Sequence, residues 1–136
     1  MKVGVSSYSF SRYMNDGILS IYDVIDMASE IGFEGIEFSG FGNTSETDDL
    51  KEIAKRIRDK VGESGMAMMS YTIGADFLKP RNGGDWKDEA DRLKGELDVA
   101  SILGAPCMRH DITTGAPGGK ISLGDFIDAT SSSPFS

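Results

Sequence analysis

The sequence has little cysteine, little histidine and no long apolar run. Its 136 residues include one cysteine, Cys107, which excludes an internal disulfide, and they begin with charge rather than with an apolar signal segment. Both features favour the reducing cytoplasm as the location. No apolar run approaches the roughly 20 residues that a membrane-spanning helix needs, so we expect no membrane partner.

Positive charge is also scarce. Acidic residues outnumber basic ones 22 to 14, and the formal net charge is -8. Proteins that bind nucleic acid through its phosphates carry basic patches, so nucleic-acid binding is disfavoured. The sequence also lacks the glycine patterns of nucleotide-binding loops and any Cys/His pair at zinc-site spacing. We therefore do not expect a nucleotide-binding half-sheet.

A short β-type run followed by an amphipathic helix recurs along the chain. Strands are predicted at 2–6, 35–39, 66–73 and 106–110, and helices at 20–31, 48–63 and from 86 to the glycine at 104. Ser20 with Asp23 resembles a capping box at the start of the first helix, and Gly32 is placed to end it. Strands that alternate with helices indicate a parallel sheet.

Apolar residues at helical spacing predict the buried face of each helix. They are Ile21, Val24, Ile25, Ala28 and Ile31 in the first helix, Leu50, Ile53, Ala54, Ile57 and Val61 in the second, and Trp86, Ala90, Leu93, Leu97 and Ala100 in the third. In the strands, we predict that Met66, Met68 and Met69 are core residues and that Cys107 is an inert buried thiol.

The repeating pattern changes after the fourth strand. Residues 123–127 begin another apolar helical face, whereas residues 130–136 form a Ser-rich run that contains a proline. A (β/α)₈ barrel needs about 250 residues, so four units make half of one. We therefore predict an α/β fold of the TIM-barrel type, truncated to a half-barrel of four parallel βα units over residues 1–125, with an irregular tail over residues 126–136.

In a parallel α/β fold, reactive groups gather beyond the carboxyl ends of the strands. Glu37 lies near the end of the second strand, within the apolar run GIEFSG. It is either a ligand for a substrate hydroxyl or metal network, or a structural carboxylate with a buried partner. His110, the only histidine, ends the fourth strand. It is either a substrate contact, acid/base group or metal ligand, or a structural histidine.

Two further side chains are candidates at this edge of the sheet. Arg109 precedes His110 and has the planar donors to hold a phosphate or carboxylate, but an ion pair with Glu37 or Asp111 is an equal alternative. Tyr8 follows the first strand. It either presents its ring and hydroxyl to a sugar or packs against neighbouring phenylalanines.

Three segments combine at a characteristic spacing, namely KVGVSSYSFS at the start, GFEGIEF at the second strand and LGAPCMRHDIT at the fourth. Together they resemble the sugar phosphate isomerases/epimerases of the xylose isomerase-like barrel superfamily, over roughly residues 1–125. The resemblance implies proton transfer next to the carbonyl of a sugar or sugar phosphate, through an enediolate. It also implies a divalent metal (Mn, Mg, Co or Zn), whose ligands would lie beyond Ser136.

By position, Tyr8, Glu37 and His110 match the ends of the first, second and fourth strands of that family. We expect them to line one rim with Glu37 facing inward, and with Arg109 they are the substrate-binding candidates; the catalytic residues are not assigned. The chain alone is expected to be inactive, to bind no metal tightly and to self-associate through exposed half-barrel edges. The alternatives are a non-catalytic sugar-binding or half-barrel assembly module and, less favoured, an endonuclease IV-like hydrolase.

Overall fold

A computed structural model shows strands and helices in alternation; it describes residues 1–44, 48–81, 83–114, 124, 127 and 131. The strands are β1 (Gly4–Ser6), β2 (Gly35–Ser39), β3 (Ala67–Ile73) and β4 (Met108–His110). The helices are α1 (Ser11–Asn15), α2 (Ile21–Ile31), α3 (Leu50–Ser64) and α4 (Trp86–Leu103), and a 3₁₀ helix spans Ser7–Phe10. No helix among the described residues is long and apolar enough to cross a membrane.

The strands form one parallel sheet in the order β1-β2-β3-β4. β1 pairs with β2 so that Ser6 lies opposite Glu37. The pairing of β2 with β3 shifts by one residue after Ile36, because β3 contains an extra residue, Met69, before Ser70 pairs with Glu37. The predicted α/β class and the parallel sheet are therefore confirmed.

The chain divides into two compact units. The first unit contains Met1–Thr72 and Asp98–Arg109, and the second contains Ile73–Leu97 and His110–Ser136. The core of the first unit forms where the apolar faces of α2 and α3 are buried together with alternate side chains of β2, and its fully buried members include Val24, Ile25, Ala28, Ile36, Phe38, Ala54 and Ile57. The core of the second unit includes Phe77, Ala90 and Leu93.

The start of α2 shows how local sequence sets an element boundary. The backbone N–H of Asp23 donates to the Ser20 hydroxyl at 3.2 Å, and the Ser20 N–H donates to the Asp23 carboxylate at 2.7 Å. This reciprocal pair is the predicted capping box. Gly32 ends the helix with a φ of 101°, a conformation that glycine adopts without strain. Both predicted ends of the helix are therefore confirmed.

Replacing Ser20 by alanine is expected to lower the melting temperature by about 3 °C, because a helix loses an N-cap that satisfies an otherwise unpaired amide. Thermal unfolding followed by circular dichroism measures the effect. Ser101→Ala, an exposed serine inside α4, is the matched control and should change the melting temperature by less than about 1 °C. Equal shifts for the two variants would contradict the capping role.

Several residues that the patterns assigned to the core are exposed. Ile31 is 61% exposed, Met69 46% and Leu97 37%, and Cys107 is also exposed. Helical spacing predicts which face of a helix is apolar, but not how much of that face is covered by other elements. Ile31 and Leu97 lie on parts of their apolar faces that remain exposed. Met69 is the extra residue of the β3 bulge. Cys107 is not in a strand, because β4 begins at Met108 rather than at residue 106.

The predictions for the last segment fall mostly outside the described residues. Of the predicted tail over residues 126–136, only Ile127 and Ser131 are described, and both are helical, as is Gly124. The proposed boundary between residues 125 and 126 therefore stays a prediction.

Candidate functional site

In the first unit, one face of the sheet carries polar side chains, which we call the polar face: Ser6, Glu37 and Ser70. Glu37 is half-buried and alternates along β2 with Ile36 and Phe38, whose side chains are fully buried on the opposite face. The Ser70 hydroxyl donates a 2.6 Å hydrogen bond to one carboxylate oxygen of Glu37. This bond fixes the orientation of the carboxylate.

The bulge in β3 makes this contact possible. Because Met69 is an extra residue, Ser70 rather than Met69 lies opposite Glu37. The Met69 side chain lies over Gly4 and Gly35: a Cβ atom added at Gly35 would lie 2.9 Å from the Met69 sulfur, and one at Gly4 would collide with it. The Met69 side chain therefore covers the sheet at Gly4 and Gly35. Gly35 lies two residues before Glu37 in β2, on the same face of the sheet.

The 3₁₀ helix that follows β1 is tied to the carboxyl end of β2. Ser7 is fully buried, and its hydroxyl accepts a 2.9 Å hydrogen bond from the Ser39 backbone N–H. The next residue, Tyr8, is 70% exposed. This exposure argues against the alternative in which Tyr8 packs among phenylalanines, because a packed ring would be largely shielded from solvent. The tyrosine is accessible to a ligand directly after β1.

Arg109 is an exposed residue of β4 in the first unit. Its predicted role as an anion-binding group stays a prediction. The expectation that Tyr8, Glu37 and His110 share one rim also stays a prediction, since Tyr8 and Glu37 belong to the first unit and His110 to the second.

In the second unit, charged side chains lie in the interior. Glu89, at 1% exposure, forms an ion pair with Arg92 one turn later in α4, at 2.7 Å. Arg92 also donates a 2.7 Å hydrogen bond to the backbone carbonyl of Gly74. Glu89 accepts a further 3.0 Å hydrogen bond from the backbone N–H of Asp76. The pair thus attaches the loop after β3 to α4.

Asp76 is itself a buried carboxylate, 6% exposed. One of its oxygens accepts hydrogen bonds from the backbone N–H groups of Leu78 and Lys79, at 3.0 and 2.9 Å. The other accepts from the backbone N–H and the hydroxyl of Thr114, at 3.1 and 2.6 Å. Two chain segments that are distant in sequence therefore meet at one side chain.

The charge state of both buried carboxylates follows from these contacts. Burial by itself would raise the pKa of Asp76, but the hydrogen bonds from Thr114, Lys79 and Leu78 outweigh it, so the pKa lies below its ordinary value. Burial likewise opposes ionisation of Glu89. The pKa of Glu89 nevertheless lies below its ordinary value. It is lowered by hydrogen bonds from Arg92 and the Asp76 backbone, and by the positive charges of Arg92 and Arg81. Both groups are anionic at neutral pH.

His110, the last residue of β4, lies near this network. Its Nδ1 atom is 2.7 Å from the backbone carbonyl of Asp111, and its ring centroid is 6.0 Å from that of the buried Phe77. A carbonyl oxygen only accepts hydrogen bonds, so the neutral ring carries its proton on Nδ1 and its lone pair on Nε2.

Sequence reasoning missed the interior charges of the second unit. No pattern in the sequence selected Asp76, Glu89 or Arg92 as a candidate. A signal was present: Glu89 and Arg92 are spaced one helical turn apart and stand beside Ala90 and Leu93 on the apolar face of the helix. The exposed pair Asp91 and Lys94 has the same spacing in the same helix, so spacing alone does not distinguish a buried pair from a solvated one.

A groove of about 480 Å³ opens elsewhere in the first unit and is not lined by Glu37. Its lining includes Leu19, Tyr22 and Phe41. Ser20, which also lines it, is already bonded to Asp23 in the capping box. Among the described residues, the lining carries one cation, Arg56, and one carboxylate, Asp48, so its charge does not select a ligand.

A divalent metal would need several oxygen, nitrogen or sulfur ligands close together. In the part of the chain that the structure describes, no three His, Cys, Asp or Glu side chains are grouped so that they could hold an ion. Catalytic divalent sites normally use three or more protein ligands. The described residues thus form no such metal site.

Comparison with models of known protein families finds no match for this chain, and comparison with curated proteins finds no similar sequence.

Proposed function

We propose that this chain is the N-terminal part of a metal-dependent sugar phosphate isomerase/epimerase, in which a proton is moved next to a carbonyl group through an enediolate. It would contribute four of the eight βα units of a barrel. The parallel sheet with its strands in sequential order and its intervening helices supports this arrangement. In this proposal the chain binds substrate, and the catalytic groups and the metal ligands belong to the other half of the barrel.

The observation that carries the proposal is the position of Glu37. Glu37 is half-buried on the polar face, between two residues of β2 that are fully buried on the opposite face, and Ser6 and Ser70 lie beside it in the register of the sheet. Ser70 occupies one of its oxygens. A carboxylate accepts several hydrogen bonds, and charge-assisted bonds to hydroxyl groups are strong. We assign Glu37 to the hydroxyl groups of a sugar.

The other candidates have distinct roles in the proposal. Tyr8, which is largely exposed, supplies a ring surface and a hydroxyl for the sugar. Arg109 supplies planar donors for a phosphate. His110, whose Nδ1 contacts a backbone carbonyl, is the candidate for a substrate contact in the second unit.

Glu37→Gln is expected to weaken binding of D-fructose and D-fructose 6-phosphate by about tenfold, because the amide accepts fewer and weaker hydrogen bonds than the carboxylate. Titration of the ¹⁵N-labelled full chain, followed by shifts of the backbone amide signals, measures both affinities and locates the affected residues. Glu30→Gln, an exposed glutamate of α2, is the matched control and should bind like the unaltered chain. Equal affinities for the two variants, or no shifts around Glu37, would refute the proposal.

A second candidate function, a half-barrel assembly module, is favoured by a separate observation. β1 and β4 are the two edges of the described sheet. Met69 is 46% exposed beside the polar face. Unpaired edges and exposed apolar groups promote association of chains. Sedimentation equilibrium distinguishes the candidates when read with the titration: a stable dimer that binds neither sugar supports the module, whereas sugar binding that depends on Glu37 supports the enzyme fragment.

A further inference from the structure

Asp76 joins the segment that follows β3 to the segment that follows β4, within the second unit. Its two carboxylate oxygens have different partners. One accepts from the backbone N–H groups of Leu78 and Lys79, and the other accepts from the N–H and the hydroxyl of Thr114. We call Asp76 with Thr114 the Asp76 clamp.

Two backbone hydrogen bonds run beside the clamp. The N–H of Phe77 donates to the carbonyl of Ile112 at 2.9 Å, and the N–H of Asp111 donates to the carbonyl of Ile73 at 3.3 Å. These bonds align residues 111–112 with the segment around Phe77. Both segments are thereby held in one arrangement at Asp76.

The His110 ring depends on both segments for its orientation. Its Nδ1 contacts the carbonyl of Asp111, which belongs to the segment held by Thr114. Its ring centroid lies 6.0 Å from that of Phe77, which is 3% exposed and belongs to the turn that Asp76 shapes. A shift of either segment would change the hydrogen bond or the ring contact.

We propose that Asp76 is a positioning residue for His110. One carboxylate oxygen shapes the turn that places Phe77 against the imidazole, and the other holds the segment whose carbonyl binds Nδ1. The clamp thereby sets the tautomer and the orientation of the ring; that the ring contacts substrate rests on the proposed function. Glu89 supports the arrangement from α4, because it accepts the backbone N–H of Asp76.

The hydrogen bonds between Thr114 and Asp76 are expected to be strong. Hydrogen bonds to an ionised carboxylate are shorter and stronger than those between neutral groups, and the Thr114 hydroxyl lies at 2.6 Å. Partners that fix the tautomer of a functional histidine from a distance are a common device at protein sites.

The chain contains a single histidine, so its imidazole signals can be assigned without ambiguity. Long-range ¹H–¹⁵N NMR at high pH should show the neutral ring of the full chain as the Nδ1–H form, the minor form of histidine in free peptides. Thr114→Val removes the hydroxyl donor and is expected to shift the ring toward the free-peptide mixture. Thr114→Ser keeps the hydroxyl and should restore the Nδ1–H form. Thr44→Val, an exposed threonine of the first unit, is the control and should change nothing.

The sugar titration described for Glu37 provides a second readout. If His110 contacts the sugar, Thr114→Val should weaken binding about tenfold and Thr114→Ser should not. An altered tautomer in Thr114→Val with no sugar binding by any form of the chain would support the positioning role and refute the proposed function. An unchanged tautomer in Thr114→Val overturns the positioning role, whatever the sugar affinity. If Thr114→Val fails to fold, as judged by circular dichroism, Asp76→Asn is measured in its place, with the same expected shift and the same criterion.

Discussion

Arg92→Met is expected to destabilise the folded chain by about 3 to 5 kcal/mol, because it leaves the carboxylate of Glu89 buried without its cationic partner. Glu89 is 1% exposed, and Arg92 is its ion-pair partner at 2.7 Å. The substitution also removes the donor to the carbonyl of Gly74. Methionine preserves much of the length and apolar surface of the arginine stem, so the loss reports on the removed charge and hydrogen-bond donors rather than on packing. Urea unfolding monitored by circular dichroism measures the free energy difference.

The same helix offers a matched control for this measurement. Lys94 forms an ion pair with Asp91 at 2.9 Å, with the same spacing along α4, but both side chains are more than 60% exposed. Exposed pairs contribute about 0 to 1 kcal/mol. Lys94→Met should therefore change the free energy of unfolding by less than about 1 kcal/mol. Similar losses of unfolding free energy for Arg92→Met and Lys94→Met would show that the contribution of an ion pair in α4 does not depend on its burial.

Acid is expected to remove the stabilisation contributed by Asp76. Its pKa is lowered in the folded state, against an ordinary value of 3.8. Below that value the unfolded state binds the proton first, so the free energy of unfolding falls as the pH falls through the folded pKa. Above about pH 5 the contribution is fully present. Asp76→Asn should therefore cost about 3 kcal/mol at pH 7 and progressively less below pH 4.

Urea unfolding of both proteins between about pH 3 and pH 7 gives the required difference curve. Glu89 and Asp23 also have lowered pKa values and destabilise both proteins in acid. Subtracting the two curves removes most of their contribution and leaves that of Asp76. A difference that stays constant over the whole range would mean that Asp76 acts through shape and not through charge.

Local signals were sufficient to predict most of the secondary structure. β2 has its predicted bounds, Gly35–Ser39, and α2 has the predicted capping box and terminal glycine. Alternation of apolar residues and capping by near neighbours both act within a few residues, so they can be seen in the sequence. The 3₁₀ helix over Ser7–Phe10 and the five-residue α1 were not predicted, because elements this short lack a measurable period.

The candidate site was only partly predictable. A carboxylate inside an apolar strand is unusual in any sequence, so Glu37 could be selected at once. Its partner Ser70 could not, because their pairing depends on the extra residue Met69, which shifts the register of two strands separated by 33 positions. A register shift of one residue changes which side chains lie opposite each other.

The sequence by itself determined the α/β class, the alternation of strands with helices, the place of Glu37 within β2 and that of His110 at the end of β4. Those features follow from the periodicity and chemistry of neighbouring residues. Only the tertiary structure decided that Asp76 meets Thr114, 38 positions along the chain, and that Glu89 is buried rather than on a solvated face. Contacts of this kind arise from how loops and helices pack in three dimensions, and a hydrogen bond between distant segments leaves no periodic signal in the sequence.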